Sequence, residues 1–261
     1  MKPENLDLIH RSFEIQPPNF NSKSMNFTAA DYLNAIVSSV EPNQTDTMLE
    51  VAAGTCACGC AFAPFLQNVV CLDATVPMLQ IGRQEAQNRH LENMMFVKGY
   101  AEELPFLDDS FDILLSRLAF HHFTDPDTAF QEMVRVLKPG GKLVLIDMEA
   151  AEEAFRKTKD EIETLRDPSH VKNLSRSEML DLFSKHTIAV DKCEITEMPT
   201  HLNRWLELTK TPDTVRQTIF DRMTADINGL EKTGFDPYQT DKGKCFHQKW
   251  VLILGRKPVK S

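Results

Sequence analysis

Five short apolar runs punctuate the first 150 residues. They are Thr47–Val51, Val69–Asp73 (VVCLD), Met94–Lys98 (MMFVK), Phe111–Ser116 (FDILLS) and Lys142–Met148 (KLVLIDM). Runs this short and this uniformly apolar read as strands buried on both faces, as in a parallel sheet. The segments between them have helical spacing. Tyr32, Leu33, Ile36, Val37 and Val40 follow Thr28-Ala-Ala-Asp31, which resembles a capping box with Asp in the last place. Gly59–Gln67 reads as a second helix, and Thr75 with Pro77 opens a third, proline being favoured in the first turn. Asp125-Pro126 opens a fourth, whose buried face is Ala129, Phe130, Met133, Val134 and Leu137. Lys138-Pro-Gly-Gly141 is a turn. This alternation predicts an α/β fold, a mostly parallel sheet with helices on both faces.

Beyond Ala150 the pattern changes. A polar helix runs to about Arg166, followed by the loop RDPSHVKN. Ser175-Arg-Ser-Glu178 is a capping box for the next helix. Thr187–Glu194 reads as a sixth strand, Thr211-Pro212-Asp213 as another helix start, and Phe246–Gly255 (FHQKWVLILG) as the last strand. No linker divides the chain. The expected organisation is one domain: an N-terminal lid over 1–45, a core over 46–150, a cap with the sixth strand over 151–215, and a last helix and strand over 216–261.

Charge and composition narrow the function. The 261 residues carry a net charge of −9, and phosphate binding needs a basic face, so nucleic acid is not an expected partner. No apolar run reaches the roughly 20 residues of a membrane span, and the polar start MKPENLDLIHRSFEIQPP lacks the apolar centre of a signal peptide. The expected location is the cytoplasm, where the six cysteines are free thiols. Oligomeric state has no signature in the sequence.

The chemistry concentrates in LEVAAGTCACGC, Leu49–Cys60. A small-residue turn between a first strand and its helix lets backbone approach a ligand. Glu50 ends the strand before it, and Asp73 ends the second strand, 19 residues after Gly54. A carboxylate at that place can accept both hydroxyls of a ribose. The GxGxxG of a nicotinamide dehydrogenase is absent. Cys56, Cys58 and Cys60 have the wrong spacing for a metal site, so cysteine serves there as a small side chain and no metal is expected. A helix N-terminus can still sensitise Cys56 or Cys58 to oxidation.

Several segments together resemble the class I S-adenosylmethionine-dependent methyltransferases. LEVAAG resembles their first motif, LDATVPML their second and GYAEELPFLDDSFD their third, and SRLAFHHFTDP and RVLKPGGKLVLID resemble their fourth- and fifth-strand segments. The likeness covers about residues 27–150 and is closest to the ubiquinone/menaquinone-type C-methyltransferases. It implies a Rossmann-like, seven-stranded, mostly parallel sheet with a helical cap. The implied cofactor is S-adenosyl-L-methionine, and the implied activity is methyl transfer to a small-molecule acceptor. The alternative is a protein that binds S-adenosylmethionine or S-adenosylhomocysteine without turnover. Ala52 and Cys56 stand where the family has its outer two glycines, and Tyr100 stands where it often has an aspartate.

By the same likeness Glu50 faces the cofactor's ammonium and Asp73 its ribose, with Ala52, Gly54 and Ala74 around them. Met78 packs on adenine or belongs to the core. Ala101 and Glu102 hold adenine, or Tyr100 stacks on it. Arg117 reaches the cofactor carboxylate or the substrate, or is a solvated charge. His121 and His122, after the fourth strand, are the candidate catalytic residues, as a base for the acceptor's proton; the other reading is structural. Arg166, Asp167 and His170 bind a polar substrate group or simply bond within their loop. Trp205 and Phe20 are lid aromatics or core.

Overall fold

The computed structural model describes residues 5–15 and 30–259. Among the described residues eight strands form one sheet: β1 Thr47–Val51, β2 Asn68–Asp73, β3 Met94–Lys98, β4 Phe111–Arg117, β5 Leu137–Met148, β6 Ala189–His201, β7 Tyr238–Thr240 and β8 Gly243–Arg256. Seven lie in the order β3-β2-β1-β4-β5-β8-β6, and the short β7 pairs with β8 off that path. The first five are parallel. β8 runs antiparallel between β5 and β6. The strand order reverses at β1, so the crevice beyond its carboxyl end is where ligands bind in such sheets.

Nine helices accompany the strands among the described residues: α1 Leu6–Ile15, α2 Ala30–Val40, α3 Ala57–Phe62, α4 Val76–Asn88, α5 Pro126–Val136, α6 Glu153–Arg166, α7 Arg176–Lys185, α8 Leu202–Leu208 and α9 Asp213–Ile227. Alternate strand residues feed two cores. Met48, Val69, Ile113 and Val144 pack with α2, α3 and α4 on one face. Leu49, Val70, Leu114 and Leu143 pack with α5 and α7 on the other. A third cluster joins Ile162, Trp205, Ile219, Met223 and Phe246 and makes the cap from α6, α8 and α9. None of these helices is long and apolar enough to cross a membrane.

The five early strands lie where the apolar runs put them. Other boundaries shift for physical reasons. The expected helix Gly59–Gln67 is instead α3 followed by a 3-10 turn at Ala63–Phe65. Pro64 supplies no N–H to continue the α-helical ladder. Leu137 does not belong to α5: it starts β5 opposite Phe111, and the register then jumps to Ile113 opposite Lys142. The KPGG turn is thus an excursion inside the strand, with Gly140 at φ 80°. Strand six runs on to His201, because β8 pairs with it along its whole length. Ser175 and Glu178 form the expected reciprocal cap of α7. Of the Thr28–Asp31 cap, Thr28 and Ala29 lie outside the described residues, as does Phe20.

Candidate active site

The turn after β1 is built from left-handed backbone. Ala52, Gly54 and Cys56 have φ of 53°, 52° and 59°. Only glycine adopts this region freely; for other residues it costs roughly 1–2 kcal/mol. Two side-chain anchors hold the turn. Asp73 accepts the Gly54 N–H at 2.7 Å through one oxygen and the Thr75 N–H at 2.7 Å through the other. Burial raises its pKa, and those two N–H donors hold the rise back. Glu50 accepts the Gly59 N–H at 2.7 Å. A Cβ on Gly59 would stand 2.9 Å from that carboxylate and 2.6 Å from the Cys71 sulfur, so glycine is required there by close approach.

Glu50 belongs to the expected cofactor set. It is buried and turned toward α3, and it does not line the cavity. The bond to Gly59 on the first turn of α3 accounts for this orientation. Burial pushes its pKa up to about 7, against the Gly59 bond and the nearby Arg117 charge. Arg117, at the end of β4, lines the cavity and hydrogen-bonds the Cys58 thiol. The cysteines of the turn diverge. The Cys56 sulfur fills the space a Cβ on Gly82 would take, Cys58 meets Arg117, and Cys60 feels the Glu50 charge more than those of Arg89 and Glu85. Burial raises Cys58 and Cys60 to about 12, so both are held as thiols. No metal-holding group of three or more His, Cys, Asp or Glu occurs among the described residues.

One cavity runs from this turn to the cap. Ala52, Gly54, Asp73, Ala74, Met78, Tyr100, Ala101, Glu102 and Arg117 line one end. Glu102 has a buried oxygen, Oε1, with no hydrogen-bond partner. A ligand amino group would supply the missing donor. His121, His122, Arg166, Asp167 and Trp205 line the other end, and Trp250 and, from α1, Ile9 and Phe13 also line the cavity. The sequence singled out neither α1 nor Trp250.

The histidine pair is differentiated by its partners. The His121 Nδ1–H donates to Asp147 Oδ1 at 2.6 Å. Asp147, at 2% exposure, also accepts the Met148 N–H at 2.7 Å and the His121 N–H at 3.1 Å. Burial alone would lower the His121 pKa, but the Asp147 charge and bond outweigh it and raise the value. His122 donates from Nδ1 to the Ser169 carbonyl at 3.1 Å. Burial and the His121 charge push it down to about 3. The two rings are 4.1 Å apart, and His170 stacks 5.7 Å from His121. His170 itself bonds Asp160 at 3.0 Å and does not line the cavity, which leaves it the loop role. Asp147 was not singled out beforehand. Its signal is an acid closing an apolar strand, KLVLID, as Asp73 closes VVCLD.

Comparison with known proteins now decides the family. A methyltransferase domain family matches residues 49–145. The uncharacterized methyltransferase YcgJ of Bacillus subtilis (strain 168) is 35% identical over 233 residues, 88% of this chain and 92% of that one. The chain belongs to the methyltransferase family. As a member, it superposes on the YcgJ crystal structure with a TM-score of 0.80 at 31% identity, over 88% of this chain and 99% of that one. The ubiquinone/menaquinone biosynthesis C-methyltransferase UbiE of Shewanella oneidensis is 36% identical over 118 residues, 43% of this chain and 47% of that one. The geranyl diphosphate C-methyltransferase of Streptomyces coelicolor A3(2), solved with S-adenosyl-L-homocysteine, shares the fold, with a TM-score of 0.60 and 14% identity over 87% and 76% of the two chains. These likenesses bear out the expected family and α/β architecture of this methyltransferase.

Proposed function

We propose that this methyltransferase uses S-adenosyl-L-methionine to methylate a small-molecule acceptor. The observation that carries the reading is the left-handed turn Ala52–Cys56 clamped to Asp73 at one end of a cavity whose other end is the histidine-bearing cap. The residues fit the cofactor. Asp73 keeps free lone pairs for ribose hydroxyls beside its two backbone bonds. The unpartnered Glu102 oxygen suits the adenine amino group. Ala52, Gly54, Ala74 and Ala101 keep the walls small, and Met78 packs against the base. Arg117 suits the carboxylate of the methionine part. Glu50 acts indirectly, by fixing the start of α3.

When bound, the cofactor would supply a sulfonium-bound methyl group for in-line attack by a nucleophile, with S-adenosylhomocysteine as the leaving group. The chain's own task is to position the acceptor and exclude water. Among the histidines, His121 is the one equipped to take a proton. Its Nδ1–H is committed to Asp147, which leaves Nε2 as the basic nitrogen and offsets the charge gained there. His122 is a far weaker base and shapes the pocket. Asp147 is a positioning residue, acting through His121.

The test is turnover. Purified protein is incubated with methyl-labelled S-adenosylmethionine and a fractionated pool of small metabolites, and S-adenosylhomocysteine is followed with label transfer. Stoichiometric appearance of both in one fraction supports the reading. Tight cofactor binding with no label transfer to any fraction points to a non-catalytic binding protein instead.

A further inference from the structure

The chain fixes what each nitrogen of the histidine pair can do. His122 Nδ1 lies 3.1 Å from the Ser169 carbonyl and 3.1 Å from the Ser169 Oγ. The carbonyl only accepts. The hydroxyl hydrogen is committed to Asp167 Oδ1 at 2.6 Å, the oxygen that also takes the Ser169 N–H at 3.0 Å. Toward His122, Ser169 therefore offers acceptors alone, and the hydrogen of the neutral ring sits on Nδ1. Nε2 is left with its lone pair. His121 is fixed in the same way by Asp147, 2.6 Å from its Nδ1. Both rings line the cavity, and neither Nε2 has a hydrogen-bond partner among the described residues.

The two nitrogens differ in what they can take. Asp147 offsets a charge on His121, so His121 Nε2 can accept a whole proton. His122 has a carbonyl and a hydroxyl at Nδ1 in place of a carboxylate, and its ring centre is 4.1 Å from that of His121. Burial and the His121 charge hold it neutral. A proton on His121 disfavours a second one beside it. His122 Nε2 is thus left to receive a hydrogen bond and no more. Once a ligand displaces water from the cavity, an acceptor there with no donor is costly. We infer that the methyl acceptor carries a second polar hydrogen, an O–H or N–H beside the atom that is methylated, and that His122 Nε2 selects for it. The reacting atom bonds the methyl carbon as the carbon–sulfur bond breaks, and its proton passes to His121. The second hydrogen stays on the acceptor. Phe13, Phe123 and Trp205 line the same cavity, with Phe13 edge-on to the His122 ring at 5.1 Å, which suits an aromatic body.

This inference rests on the proposed methyl-transfer site, so the experiment reads the two separately. Imidazole nitrogen NMR of histidine-labelled protein reads the tautomer with no ligand added, and the spectrum of His122→Asn assigns the His122 signals. At neutral pH His122 should carry its hydrogen on Nδ1 and none on Nε2; a hydrogen on Nε2 overturns the inference. The protein is then saturated with S-adenosylhomocysteine, and that binding is measured by calorimetry. Catechol, 2-aminophenol and phenol are titrated into the complex. Catechol or 2-aminophenol should bind at least about tenfold more tightly than phenol, and its binding should shift the His122 Nε2 resonance. The tighter of the two tells O–H from N–H. His122→Asn keeps an amide donor near the place of Nδ1 for the Ser169 carbonyl and leaves nothing at Nε2. It should bring the preference over phenol to about one while phenol and S-adenosylhomocysteine affinities hold. Equal binding of all three probes, binding of none, or a preference that survives in His122→Asn overturns the inference. Failure to bind S-adenosylhomocysteine overturns the site reading beneath it instead.

Discussion

Replacing Asp147 with Asn tests whether that carboxylate sets the state of His121. Asp147 accepts three hydrogen bonds inside the protein, from the His121 ring, the Met148 N–H and the His121 N–H. An Asn amide keeps the first two only if its oxygen takes the Oδ1 place. Its NH2 group then faces the His121 N–H, donor against donor, 3.1 Å away in the native structure. Breaking a buried charged pair by changing one partner costs about 3–5 kcal/mol. For a chain of this size that is a fall in Tm of roughly 6–20 °C. The pH dependence has a defined sign. Asp147 is held below the ordinary carboxylate range, so its contribution is present above about pH 4 and lost as pH falls. His121 is held above its ordinary value, so its contribution is full below about pH 6.5 and lost as pH rises through the folded value. The variant's deficit should therefore be largest between about pH 4 and 6.5 and smaller at pH 9. Thermal melts at pH 5.5 and 9 measure it, with histidine NMR titration alongside. In the variant burial is opposed only by the Glu163 and Asp167 charges, and the His121 titration should fall relative to the native protein. An unchanged His121 titration, or an equal deficit at both pH values, would refute the assignment.

Other changes probe the turn. Gly82→Ala would put a Cβ 2.5 Å from the Cys56 sulfur and 3.0 Å from the Thr55 carbonyl oxygen. It should cost about 1–3 kcal/mol, and adding Cys56→Gly should recover part of that in chemical denaturation; no recovery would contradict the packing argument. Glu50→Gln removes a carboxylate whose raised pKa disfavours the ionised protein above pH 7. The variant should gain stability over the native protein as pH rises from 4.5 to 8, and melts showing no pH-dependent gain would count against it. Asp73→Ala removes the acceptor of two backbone N–H groups. It should lower S-adenosylhomocysteine affinity at least a hundredfold and also lower Tm, both readable in one sample by calorimetry.

The sequence exposes the sheet because parallel strands are buried on both faces and leave unbroken apolar runs. It exposes Gly54 and Asp73 because a turn and an acid at strand ends are local patterns. It does not expose where Glu50 points, which depends on Gly59 and Cys71 arriving from α3 and β2. Leu137 escaped because a buried residue ending a helix and one beginning a strand look alike in periodicity. The histidine pair was visible, but its asymmetry was not: Asp147 and Ser169 lie 26 and 47 residues from the histidines they act on. The seven-residue α8 and three-residue β7 are too short for a periodic signal.

The central claim is that the Ala52–Cys56 turn and Asp73 hold S-adenosylmethionine despite two missing glycines. Calorimetric titration of the purified protein with S-adenosylmethionine, S-adenosylhomocysteine and NAD in parallel tests it most directly. The account predicts one-to-one binding of both sulfur nucleotides and none of NAD. Binding of NAD alone, or of none of the three, would contradict it.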